Sequence, residues 1–95
     1  MTDIATPVEP LRVSSTSTPQ SVAGAIAKSI TIGHNYPEVR AIGHGAIGQA
    51  VKAIAIARGY VAPLGIDLAC NIGFADVQNA EDKTVSALVF IMFRR

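Results

Sequence analysis

The first clear pattern in the chain is short. Leu11-Arg12-Val13 alternates apolar, polar, apolar and then meets a run of hydroxyl residues from Ser14 to Thr18. Such an alternation predicts a strand, and the hydroxyls predict a turn after it. Val22, Ile26 and Ile30 then recur every fourth position with Ala23 and Ala27 beside them, which makes one apolar stripe of a helix. Thr18 is expected as its N-cap. Pro19 fits the first helical position, where a missing N–H costs nothing. Gly33 is expected to end the helix, and Asn35-Tyr36-Pro37 to form a loop. Glu38 to Ile42 predicts a second strand, and Gly43-His44-Gly45 the turn out of it.

The next segment is apolar on every side. Ala46, Ala50, Ala53, Ala55 and Ala57 interleave with Ile47, Val51, Ile54 and Ile56. This predicts a buried helix from about Ala46 to Ala57 or Arg58, stopped by Gly59. Tyr60 to Gly65 is expected to be a loop containing Pro63. A third strand is expected from Leu68 to about Val77, a polar hairpin connection from Asn79 to Lys83, and a last strand from Thr84 to Arg94. The end of that strand is apolar at consecutive positions from Leu88, so both of its faces need covering. A domain with two helices supplies one cover, and a partner chain is expected to supply the other. Leu88, Phe90, Ile91 and Phe93 are therefore expected at or beside a dimer interface. Arg94 and Arg95 are expected to fray. The order is β-α-β-α-β-β. It predicts an α+β fold with two helices packed on a mixed four-stranded sheet.

Composition sharpens this picture. The chain has 95 residues, 49% hydrophobic and only 16% charged, with a net charge of +1. That excludes whole-chain disorder and argues for one small domain with apolar surface to spare. It also excludes the strongly basic balance of a chromatin-compacting protein. Residues 1–10 carry two prolines and no periodicity, and are expected to form a flexible tail before a domain at 11–95. They show neither a basic n-region nor an apolar h-region. The longest strongly apolar run, Ala87 to Phe93, is far short of the ~20 residues that span a bilayer. No membrane association and a cytoplasmic location are expected. Cys70 stands alone in an apolar run, which argues for an inert thiol.

Gly43-His44-Gly45-Ala46-Ile47-Gly48 matches G-x-G-x-x-G between a strand and a helix, the setting of a dinucleotide fingerprint. Asp67 lies near the distance expected of a ribose ligand, but it precedes the third strand instead of ending it. The chain also closes with a hairpin where further crossovers are needed. The preferred reading is a tight turn at Gly43 and Gly45, with Gly48 permitting close packing. No cofactor is expected. The turn still leaves free N–H groups at a helix start, and so does the Ser14–Thr18 turn. Both helices follow strands, so both starts are expected at one sheet edge, where they suit a phosphate backbone. Arg40 and Lys52 flank the glycine turn as candidate phosphate contacts. His44 and His34 lack metal-ligand spacing, and no nucleophile–base pair is present, so neither a metal nor catalysis is expected.

Several stretches are more specific. Ser21-Val22-Ala23-Gly24-Ala25-Ile26-Ala27, Ala41-Ile42-Gly43-His44-Gly45-Ala46, the run from Gln49 to Pro63, and Gly65-Ile66-Asp67-Leu68 closely resemble the stage V sporulation protein S family. The resemblance covers residues 11–95. It implies an Alba-like fold that is commonly dimeric. It also implies a DNA or RNA surface built from both strand-to-helix turns and the final hairpin, here Ser14–Pro19, Gly43–Ala46 and Gln78–Lys83. This chain differs from the archaeal pattern in having hydroxyls in place of lysines, His44 in place of arginine, and Glu81 and Asp82 in the hairpin. The expectation is a homodimeric regulator of sporulation or development with no enzymatic activity. It is expected to bind DNA or RNA weakly through Ser15, Ser17, Thr18, Arg40, Gly43, His44, Gly45 and Lys52. The alternative on the same fold is an adaptor that binds an unidentified protein and no nucleic acid.

Overall fold

The computed structural model describes residues 9–95, so the first eight residues of the expected tail lie outside the described part. The elements run β1 (Leu11–Val13), α1 (Pro19–Thr31), β2 (Glu38–Ala41), α2 (His44–Val61), a 3-10 turn (Ala62–Leu64), β3 (Leu68–Gln78) and β4 (Thr84–Arg94). The sheet order is β1-β2-β4-β3. β1 is parallel to β2, and the other neighbours are antiparallel. The parallel pair needs a crossover, which α1 provides, whereas β3 and β4 join through a short turn. The result is the α+β, β-α-β-α-β-β fold that the pattern predicts, with two helices on one face of a mixed four-stranded sheet.

The strand register explains the core. Val39 stands opposite Phe90, Ala41 opposite Leu88, and Leu11 and Val13 opposite Val39 and Ala41. Their shared face meets Ala23, Ile26 and Ile30 of α1 and Ala46, Ala50, Ala57 and Val61 of α2. The buried alanines of α2 recur at helical spacing, so the helix backbone settles close to the layer beneath it.

Several local expectations are corrected. α2 does not stop at Gly59. It continues through Tyr60 to Val61, because Val61 extends the buried stripe and anchors the last turn in the core. The left-handed stop is Gly65, at φ 79, after the 3-10 turn. α1 stops at Thr31, but His34 rather than Gly33 takes the left-handed conformation (φ 56). Thr18 holds the N-cap position, yet its side chain makes no capping hydrogen bond. α2 is also not buried all round, since Val51, Ala55 and Tyr60 are exposed.

The four residues named for the dimer interface separate. Phe90, 2% exposed, lies in the chain's own core, and Leu88 packs partly buried against it. Ile91 and Phe93 are on the opposite face and are exposed, whereas Ala87 and Val89 of that face are buried. β-strand alternation sends consecutive residues to opposite faces, so the helices cover Phe90 and leave Ile91 open. α2 reaches only the start of β3, where Leu68 is buried and Cys70 packs against the core, and β3 is an edge strand that pairs with β4. Ile72 and Phe74 stand opposite Phe90 and Leu88, on the helix-bearing side, and are 63% and 80% exposed.

Arg94 and Arg95, expected to fray, make hydrogen bonds back to the start of β3 and the turn before it. The Arg95 N–H donates to the Asp67 carbonyl at 2.8 Å, and Arg95 Nε donates to Asp67 Oδ2 at 3.0 Å. Arg58 donates from Nη2 to Asp67 Oδ1 at 2.9 Å and from Nε to the Leu68 carbonyl at 2.7 Å. The Arg94 guanidinium donates to the Gly65 carbonyl at 3.2 Å. Hydrogen bonds from Arg95, then from Arg58, hold the Asp67 carboxyl below the ordinary aspartate range.

Candidate nucleic-acid interface

β1 and β2 run parallel and side by side, so their C-terminal ends share one sheet edge. Both helices therefore start there. The two turns are locked together. Gly45, at the second position of α2, approaches the β1–α1 turn so closely that a Cβ there would lie 2.8 Å from the Ser15 Cβ. Gln49 Nε2, one turn further along α2, donates to the Ser17 carbonyl at 3.0 Å and reaches the Ser15 carbonyl at 3.5 Å. Inside the turn, the Ser14 N–H donates to Ser17 Oγ at 2.9 Å, and the Thr16 N–H to Ser14 Oγ at 3.3 Å. The hydroxyl run thus braces its own backbone, as short polar side chains do in turns.

An open cleft of about 880 Å³ lies at this edge. The β1–α1 turn contributes Ser14 and Ser15, and the β2–α2 turn contributes Ile42, Gly43, Gly45 and Ala46. Asp76, Val77 and Gln78 at the end of β3 line it as well. Arg12 and Arg40 complete it from β1 and β2, where the register sets them directly opposite each other. Two like charges in that relation repel. Glu38 relieves the repulsion by accepting from Arg40 Nε at 2.6 Å.

Of the residues expected to bind, Ser15, Arg40, Gly43 and Gly45 line the cleft. Ser17 and Thr18 lie in the same turn but outside the lining. His44 begins α2 and is exposed beside it. Lys52 is eight residues into α2, about 12 Å along the helix from His44, and so does not flank the glycine turn. Gly43 takes φ 87 at the N-cap of α2, and Gly45 makes the close approach to Ser15. A Cβ at Gly48 would meet nothing within 4 Å, so that glycine serves no close packing. Asp67 is held by two arginines at the far end of α2, away from the glycine turn. Sequence reasoning missed Arg12, Gln49 and Asp76, while Gln78 is the one residue of the expected Gln78–Lys83 region that lines the cleft. For Arg12 a signal existed, since its position in an alternating strand parallel to β2 places it next to Arg40.

A sequence model of the stage V sporulation protein S family matches residues 9–95. The chain belongs to that family. It is therefore a small sporulation-related protein of a regulatory family that is not known for enzymes. The family match covers the whole cleft, from Arg12 to Ala87, together with the Asp67 clasp. No helix among the described residues is long and apolar enough to cross a membrane.

Proposed function

We propose that this stage V sporulation protein S family member is a non-enzymatic regulator that acts as a homodimer and binds DNA or RNA weakly through the cleft. The observation that carries this reading is the cleft itself. It joins two helix starts, the end of the β3–β4 arm and the Arg12–Arg40 pair at a single edge. Helix starts offer free N–H groups to phosphate oxygens, and guanidinium groups pair with phosphate through two parallel hydrogen bonds.

Dimerisation rests on uncovered apolar surface beside the core. Ile72 and Phe74 are exposed on β3. Val51 lies seven residues before Arg58 on α2, and Arg58 reaches the Leu68 carbonyl, so this exposed stripe of α2 looks toward β3. A long edge strand beside such a patch invites a second chain. The adaptor reading is favoured by the charges around the cleft, because Glu38 occupies Arg40.

Fluorescence anisotropy with labelled RNA and duplex DNA, from low to physiological salt, separates the two readings. Binding that tightens as salt falls is expected. A folded, dimeric protein that binds neither at low salt would leave the adaptor.

A further inference from the structure

We infer that the cluster of Arg58, Arg94 and Arg95 at the start of β3 is a docking site for an acidic segment of a partner protein, whose carboxylates meet the guanidinium groups while an apolar side chain enters the notch beside them. The site lies away from the cleft. Gln78, which lines the cleft, and Leu68, which lines the notch, stand ten residues apart on β3, about 33 Å along the strand. The inference therefore goes beyond the nucleic-acid reading and does not depend on it.

Charge motivates it. Three of the chain's eight lysines and arginines converge on four residues, Gly65 to Leu68. Arg94 donates to the Gly65 carbonyl and Arg58 to the Leu68 carbonyl, and Arg58 and Arg95 share the Asp67 carboxylate. Among the described residues, no other acidic side chain pairs with them. Glu38 is taken by Arg40, and Asp76, Glu81 and Asp82 lie toward the opposite end of the β3–β4 arm. One side-chain carboxylate thus serves three guanidinium groups. The clasp also uses only part of each group. Within the described chain, Nη1 of Arg58, Arg94 and Arg95 donates to nothing, and all three residues are exposed. Each keeps donors for an outside carboxylate. The intrachain bonds already hold the side chains in place, so binding costs little further side-chain freedom.

The surroundings choose a protein segment over a phosphate backbone. The notch beside Arg58 is lined in part by Ala62 and Ile66 and has a volume of about 240 Å³. That is below the ~300 Å³ at which small-molecule pockets begin, and it suits one apolar side chain. Leu64, next in the chain to Gly65, is 61% exposed. A phosphate backbone offers nothing apolar to such a surface. The cluster is also all arginine, the cation enriched at protein interfaces, where lysine is depleted.

The test uses fluorescence anisotropy with the full chain at low salt. The main probe is a short labelled peptide of aspartate and glutamate residues around one leucine. Its controls are the same peptide with asparagine and glutamine replacing the acids, the acidic peptide with serine replacing the leucine, and labelled single-stranded and duplex oligonucleotides. The acidic peptide is expected to bind about tenfold tighter than the amide peptide, since hydrogen bonds to charged groups are the stronger ones. It is also expected to bind several-fold tighter than the serine peptide. Arg94→Glu tests the site itself, because Arg94 contacts only a carbonyl and the Asp67 clasp stays in place without it. The variant is expected to weaken the acidic peptide about tenfold or more, with the oligonucleotide affinities, the circular-dichroism spectrum and the light-scattering mass of the native chain unchanged. Arg94→Gln, the milder change, is expected to weaken the peptide in the same direction. Oligonucleotides that lose as much affinity as the peptide would make the cluster a phosphate site and overturn the inference. A mass that falls to half would assign the cluster to the contact between two copies, and that also overturns it. So does equal binding of the acidic and amide peptides, or binding of neither. The nucleic-acid reading is judged separately, by whether the native chain binds any oligonucleotide.

Discussion

Gly45 and Ser15 stand 30 residues apart in sequence yet meet with no room for a side chain between them: a Cβ on Gly45 would sit 2.8 Å from the Ser15 Cβ. This contact fastens the start of α2 to the β1–α1 turn and so sets one wall of the cleft. Gly45→Ala is expected to destabilise the protein by about 1–3 kcal/mol, the usual cost of overpacking. Ser15→Gly in the same chain is expected to restore most of the loss, since the next atom, the Ser15 Cα, lies at 3.6 Å, an ordinary contact. Urea denaturation of the two single variants and the double variant checks this. Simple additivity would refute the contact as the cause.

Gly43 and Gly48 share one motif but differ in need. Gly43 holds φ 87 and ψ 159, a conformation that is essentially glycine's alone. Gly48 is an ordinary helical residue with open space where a Cβ would go. Gly43→Ala is expected to cost about 1–3 kcal/mol through backbone strain. Gly48→Ala is expected to stabilise by about 0.5–1 kcal/mol through helix propensity. Melting temperatures that shift in opposite directions are the expected result. A gain at position 43 would contradict the strained turn.

Phe74 and Phe90 test where a second chain docks. Phe74 is 80% exposed and Phe90 2% exposed, although both point to the helix-bearing side of the sheet. Light scattering at micromolar concentration is expected to give twice the chain mass for the native protein. Phe74→Asp is expected to halve that mass and preserve the circular-dichroism spectrum. Phe90→Ala instead is expected to cost about 3–5 kcal/mol, because it empties a filled core site. A native chain already monomeric under these conditions would remove the dimer.

The Asp67 clasp predicts an acid limb. Arg95 and then Arg58 keep the folded-state carboxyl below its ordinary range, while the unfolded chain takes up its proton near pH 4. The folded chain then binds fewer protons than the unfolded chain in mild acid. The contribution is present above the unfolded pKa. It erodes below about pH 5 and is lost once pH falls through the folded pKa. The urea midpoint of Asp67→Asn is expected below that of the native chain at pH 7, with the gap closing toward pH 3. A gap independent of pH would place the role of Asp67 in something other than its charge.

The local patterns carried the elements and their order. Thr18-Pro19 marked the first residue of α1, the Val22-Ile26-Ile30 stripe its buried side, and the Asn79–Lys83 connection the break between two strands. β4 runs from Thr84 to Arg94 as its pattern predicts. These signals are legible because capping, turn chemistry and periods of two or 3.6 depend on residues only a few positions apart.

Other features belong to the tertiary structure alone. α2 passes Gly59 because Val61 is buried against strands distant in sequence, a gain that outweighs glycine's low propensity. Phe90 is covered and Phe74 is not because the order β1-β2-β4-β3 puts β4 inside the sheet and β3 at its edge. Arg12 and Asp76 line one cleft, and Asp67 gathers Arg58 and Arg95, although no motif joins them. By itself the sequence determined which segments become strands and helices, since each such choice is made among near neighbours. Only the tertiary structure decided which strand is the edge and which charges converge, since both depend on pairings between residues tens of positions apart.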